Sequence, residues 1–185
     1  MVTIHLRKSK KLTYRLHELC ILTVVIISEM KTGAHRYKYL KQVNGRGRYG
    51  EVEIEINAIT TASIVTDNCD WKTLKRSYPD FVASGIENIW KQSAIKAAQY
   101  LIDTYDLPGS IEIKINDIVG IEVDTVPAHL GAAVVIGVFE LLDSPLSAEN
   151  IAEIDDFVTD NSGIELIPDY YKLALTKPTS TNEAD

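Results

Sequence analysis

Residues 37 to 56 read Tyr-Lys-Tyr-Leu-Lys-Gln-Val-Asn-Gly-Arg-Gly-Arg-Tyr-Gly-Glu-Val-Glu-Ile-Glu-Ile. From Glu51 the carboxylates Glu51, Glu53 and Glu55 alternate with Val52, Ile54 and Ile56. Successive strand side chains face opposite sides of a sheet, so this pattern predicts a strand with one polar face and one core face. Tyr37 to Val43 predicts a preceding strand. Asn44-Gly45 between them is turn chemistry, because both residues tolerate positive φ. The expected product is a β-hairpin with Arg46 and Arg48 at its tip, and with the second strand running Glu51 to Ile59 and on through Thr60 to Val65.

Working outward, Val82, Ile86, Ile89, Trp90, Ala94, Ala97, Ala98, Leu101 and Ile102 recur at three- and four-residue intervals. That spacing is one helical stripe, and it predicts a helix over Pro79 to Tyr105 with Pro79 in the first turn. Ile111, Ile113 and Ile115 alternate with Glu112, Lys114 and Asn116, which predicts a strand from Ser110 to Asn116; a short strand is expected at Gly120 to Asp124. Val126 to Asp143 predicts a second helix, capped by Thr125 or Asp124, with Leu130, Val134, Val138 and Leu141 facing the core. Gly131 and Gly137 leave room for close packing, and His129 is expected on the surface or boundary of the first turn. Ala148 to Val158 suits a short acidic helix, and Lys177 to Asp185 is a polar tail.

Composition sets the broad class. The 185 residues are 45% hydrophobic and 24% charged, which suits one globular domain with extensions. The division drawn is an N-terminal extension over 1–30, an α+β domain over 31–145, and an acidic extension and tail over 146–185. Met30 is a second candidate start, which would make residues 1–29 dispensable. The apolar run Leu19 to Ile27 is far short of the roughly 20 residues that span a bilayer, and no small-x-small cleavage pattern follows it. Two cysteines, Cys20 and Cys69, make no disulfide framework, so a reducing, cytoplasmic setting is expected.

The net charge of -7 is unevenly spread. Residues 1–48 hold eleven Lys or Arg against Glu18 and Glu29, and the remainder holds eight basic against twenty-four acidic residues. A polyanion would meet the basic end. Lys38, Lys41, Arg46 and Arg48 can neutralise phosphates, and Tyr37, Tyr39 and Tyr49 either stack on bases or fill the core. His5, His17, His35 and His129 lack ligand spacing, so neither a metal nor a cofactor is expected. Asp103, Asp106, Glu112 and Asp124 are scattered carboxylates without a nucleophile motif, so no catalytic residue is assigned. Pro127 to Ala133 distantly resembles the phosphate loop of small-molecule kinases, but it has too few glycine and hydroxyl donors to wrap a phosphate.

The run Tyr39 to Val52 resembles the start of domain IV of elongation factor G, the ribosomal translocase, at Lys41-Gln42, Gly45-Arg46-Gly47, Tyr49-Gly50 and Val52. Asp80 to Ile86 is similar to that domain's first helix, and Val123-Asp124-Thr125 with Pro127 to Phe139 to its second. The resemblance covers about residues 36–143, in order. It implies a two-layer α+β sandwich, a mixed sheet covered on one face by two helices, like the second domain of a small-subunit ribosomal protein. It also implies that Val43 to Arg48, including Asn44, is one tip loop directed at ribosomal RNA. A second tip loop is expected near Asn116 to Gly120, with Asn116 and Asp117 as contact candidates. No Gly-x-x-x-x-Gly-Lys-Ser/Thr loop occurs in these residues, so the sequence carries no such GTPase motif. The expected function is therefore a binding module for ribosome or RNA. A protein-interaction or self-associating module without RNA, and a small-molecule enzyme on the same fold, stand as alternatives. No membrane partner is expected.

Overall fold

The computed structural model describes residues 33–43, 45–69, 86–121, 123–163 and 166–176, all within the unit Lys31–Asp185. In chain order they form strands β1 (Ala34–Val43), β2 (Arg46–Ala58) and β3 (Ile64–Asp67), helix α1 (Ile86–Thr104) and strand β4 (Ile111–Val119). Helices α2 (Pro127–Leu141) and α3 (Ala148–Asp160) and a 3-10 turn at Tyr170–Lys172 follow. The fold is α+β, with a mixed four-stranded sheet in the order β1-β2-β4-β3. β1 pairs antiparallel with β2, and β2 antiparallel with β4; β3 runs parallel to β4, connected through α1.

The alternation in β2 has the expected consequence: Val52, Ile54 and Ile56 are buried against the helices together with Ile111, Ile113 and Ile115 of β4. The hairpin closes at the Val43–Arg46 pair, and Gly45 sits at φ 76°, where a side chain is disfavoured. β4 departs from expectation. Its register shifts where Glu53 faces Asp117 but Ile54 faces Ile115, which leaves Asn116 as an extra residue. This β-bulge lets Ile115 and Ile118, three apart, both reach the core. The strand thus continues through Asn116 and Asp117 to Val119, so neither residue lies in a tip loop. Gly120 and Ile121 leave the sheet and Val123-Asp124 form a turn, not the short strand expected there. Nor does β2 continue through Thr60 to Val65. The chain bends at Thr60 to Ala62 and returns as β3.

α1 buries Trp90, Ala94, Ala97, Ala98 and Leu101 as its stripe requires. The expected first turns of that helix, 79–85, and the proposed Met30 start lie outside the described residues. α2 is buried almost all round, from Pro127 to Val135 and at Gly137 to Phe139 and Leu141. The sheet, α1, α3 and the segment 166–176 enclose it. Tyr37 of β1 lies over Gly137, and the Tyr170 hydroxyl stands where a Gly131 side chain would be. Residues 146–176 accordingly contribute core: Ile154, Phe157, Val158, Tyr170, Leu173 and Leu175 are all buried. Asn150 ties this segment down by bonding the backbone of Thr176 in both directions. Among the described residues no helix is long and apolar enough to cross a membrane.

β2 meets α2 most closely at Gly50, where a Cβ would lie 2.7 Å from the backbone carbonyl carbon of His129. Backbone cannot yield as a flexible side chain can, so Gly50→Ala should lower the unfolding free energy by about 2–3 kcal/mol in urea titration. Gly45→Ala, with nothing within 4 Å of its added carbon, should cost only about 1 kcal/mol through its positive φ. Equal losses would contradict this packing.

Candidate functional site

The hairpin tip does not stand alone. Beside it lies the loop 121–126, bound to β2 through backbone and hydroxyl groups. Tyr49 N–H donates to the Asp124 carbonyl at 2.9 Å, and the Thr125 hydroxyl donates to the Tyr49 carbonyl at 2.7 Å while accepting from Ile121 N–H at 2.7 Å. Thr125 is therefore a loop staple and not the α2 cap. The cap position is Val126, whose N–H donates to His129 Nδ1 at 3.1 Å. A groove of about 820 Å³ opens between tip and loop, lined by Val43, Gly45, Arg46, Gly47, Arg48, Val123, Asp124, Val126, His129 and Ser162.

His129, expected on the surface or boundary of the first turn, is only 4% exposed. Its ring stacks on Tyr39 with centroids 5.6 Å apart and planes at 21°. Burial first, and the Arg48 charge second, push its pKa down to about 4, so the imidazole is neutral near pH 7. Tyr39 and Tyr37 face the helices; Tyr39 is buried and offers no free stacking surface, and Tyr37, half-buried, packs over Gly137. The Tyr39 hydroxyl donates to Asp155 Oδ1 at 2.8 Å, and burial pushes the phenol well above its ordinary range.

The basic candidates separate by strand parity. Lys41 and Arg48 lie on the helix side and are tied to α3: Lys41 Nζ pairs with Asp155 Oδ2 at 3.0 Å, and Arg48 Nη1 donates to Thr159 Oγ1 at 2.8 Å. Lys38 lies on the opposite sheet face and pairs with Glu51 at 3.1 Å. There Arg36 joins three strands, contacting Glu51 at 3.0 Å, Glu53 at 2.8 Å and Asp117 at 2.8 Å. Burial pushes the Glu51 carboxyl up, but hydrogen bonds from Tyr49, Arg36 and Lys38 outweigh it and hold the pKa below the ordinary value. Arg46 is exposed at the tip. Asn44 lies outside the described residues. Asn116 is at the β3 side, accepting from Asn68 Nδ2 at 2.9 Å, and Asp117 belongs to the Arg36 cluster. The structure thus brings Arg46 and Arg48 together in the groove, sets Lys41 across from Arg48 on β1, and places Lys38, Asn116 and Asp117 elsewhere.

Asp124, His129, Asp155 and Thr159 were not among the sequence's contact candidates. The three-residue step from Ile115 to Ile118 was the available signal that β4 bulges and that the second loop begins after Val119. The scattered carboxylates remain scattered: Asp103 accepts from Gln99 and Tyr171, and Glu112 from Thr66, away from Asp124. Among the described residues no group of three or more His, Cys, Asp or Glu is placed to hold a metal ion.

No protein-family model matches this chain, and no curated protein matches it. Among solved structures, the crystal structure of ttk003000868 from Thermus thermophilus is similar, with a TM-score of 0.39 and 15% identity. The match covers 72% of this chain and 21% of that one, so the chain spans about a fifth of that protein's length.

The buried neutral imidazole makes stability depend on pH. Its folded-state pKa lies below the ordinary 6.5, so as pH falls the unfolded chain binds the proton first. The stabilisation is fully present above about pH 6.5 and is lost on the way down to about pH 4. Between pH 7 and pH 5 the unfolding free energy should fall by about 2 kcal/mol, and His129→Asn, which does not titrate, should flatten that interval. An unchanged slope in the variant would remove His129 as the cause.

Proposed function

We propose that this chain is a non-catalytic, cytoplasmic binding module of elongation factor G domain IV descent. It contacts ribosomal or other RNA through the end of the domain where the hairpin tip and the loop 121–126 meet. The observation that carries this proposal is the placement of Arg46 and Arg48 along one groove at the hairpin turn. Guanidinium groups are suited to phosphate recognition, because their planar fork presents several donors at once. Lys41 stands directly across from Arg48 in the same hairpin, and its pair with Asp155 is exposed enough to be exchanged for a phosphate.

Fluorescence anisotropy with a labelled single-stranded RNA, titrated between about 50 and 200 mM salt, tests this proposal. Arg46→Ala/Arg48→Ala should weaken binding and reduce the salt slope by about 1.4, the value for two single-strand phosphate contacts. Lys96→Ala, on the exposed side of α1, serves as the control and should leave both unchanged. Equal affinity of the double variant and the wild type, or binding by neither, would overturn the proposal.

A protein-interaction role is the second reading, favoured by a specific feature. Leu40, Val119, Ile121 and Val123 are 67%, 36%, 38% and 87% exposed near the tip. Leu40 pairs with Tyr49, and Val119 with the adjacent Glu51, on the sheet face away from the helices. Sedimentation of wild type against Leu40→Glu distinguishes this role: self-association abolished by the glutamate would support it, and a monomer in both cases would count against self-association.

A further inference from the structure

The groove contains a group that phosphate binding does not use. The Asp124 carboxylate lines the groove on the loop side, across from Arg46 and Arg48, is half-buried, and among the described residues accepts no side-chain hydrogen bond or ion pair. Its position is fixed by the backbone. Asp124 N–H donates to the Ile121 carbonyl at 2.9 Å, and its own carbonyl accepts from Tyr49. The carboxylate lies over Gly47, where a Cβ would come within 2.8–2.9 Å of its carbon and both oxygens. Any side chain at residue 47 would displace it.

A carboxylate accepts two hydrogen bonds in parallel and donates none. Among the four RNA bases only guanine offers two adjacent donors on its Watson–Crick edge, N1–H and N2–H. Uracil, cytosine and adenine each place an acceptor beside their donor, and that acceptor would face the carboxylate unfavourably. Single-stranded RNA is read by proteins through such splayed-out bases, with arginine planes or apolar side chains against the ring. Val123 and Val126 supply apolar flanks beside the arginines, and a groove of about 820 Å³ is ample for one nucleotide.

We infer that the groove takes one unstacked guanine nucleotide of an RNA strand, its N1–H and N2–H donated to Asp124 and its phosphate set against Arg46 and Arg48. This inference rests on the RNA contact proposed above and names what that contact selects.

Four labelled ten-nucleotide strands test it: oligouridine, and the same strand with a single central guanine, adenine or cytosine. The full chain should bind the guanine strand about tenfold more tightly than the other three, the discrimination expected of one bidentate pair. Asp124→Asn should bring the four affinities together. Gly47→Ala, which moves the carboxylate without changing charge, should do the same and serves if Asp124→Asn fails to fold. Arg46→Ala should lower all four affinities in parallel. Wild-type binding that is equal for the four strands would overturn the guanine site while leaving the RNA contact standing. Absence of binding to every strand would overturn both. Guanosine monophosphate binding as tightly as the guanine strand would overturn RNA as the source of the base.

Discussion

The contact on which the rest of the structure depends is the approach of β2 to the first turn of α2 at Gly50. With no side chain there, strand backbone lies directly against helix backbone. The neighbouring Tyr49 can then bond the loop in both directions, through its N–H to Asp124 and its carbonyl to Thr125. That pair of bonds carries the pairing of β2 with β4 onward into the loop at Asp124 and Thr125. It buries His129 against Tyr39, and it fixes the wall of the groove opposite the hairpin arginines. The groove is thus a consequence of core packing, and it is preformed by the same residues that order α2.

Charge is distributed by the same geometry, and magnitudes decide which of it is available. The Arg36 cluster on the far face sets a half-exposed guanidinium against Glu51 and Asp117, whose carboxylates are both buried and depend on it for pairing. That cluster holds β1, β2 and β4 together and is not a free binding surface. The Lys41–Asp155 pair is exposed, where such pairs contribute about 0.2–1 kcal/mol. Lys41 can therefore be recruited by a polyanion at small cost, whereas drawing Arg36 away would leave the buried Glu51 and Asp117 carboxylates without that partner. The electrostatic excess that the sequence places in its first 48 residues is divided, among the described residues, between the two faces of the hairpin: Arg36 and Lys38 on one, Lys41 and Arg48 on the other, with Arg46 at the tip.

Much of the fold was legible because period-two and helical spacing report burial directly. Val52, Ile54 and Ile56 in β2, and Trp90, Ala94 and Leu101 in α1, are buried as their spacing requires. The site was legible only in part. The Asn116 bulge adds one residue to β4, which turns Asp117 toward Arg36 and delays the second loop until after Val119; local propensity does not reveal it, and its one trace in the sequence is the three-residue step from Ile115 to Ile118. The cap on α2 went to a histidine because Thr125 was claimed by Tyr49, a partner 76 positions away. The role of residues 150–176 was hidden for a similar reason. Gly131 read as a packing glycine, but its partner, Tyr170, is specified by tertiary contact alone.

The surface where hairpin tip and loop converge is the one that the proposed RNA contact uses. Hydrogen–deuterium exchange of the full chain with and without saturating single-stranded RNA measures this most directly. Slowed exchange confined to amides of Gly45 to Arg48 and Val123 to Thr125 is the predicted result. Protection spread over Arg36 to Leu40 and Ile118 to Val119 on the opposite sheet face, with the tip unaffected, would contradict it.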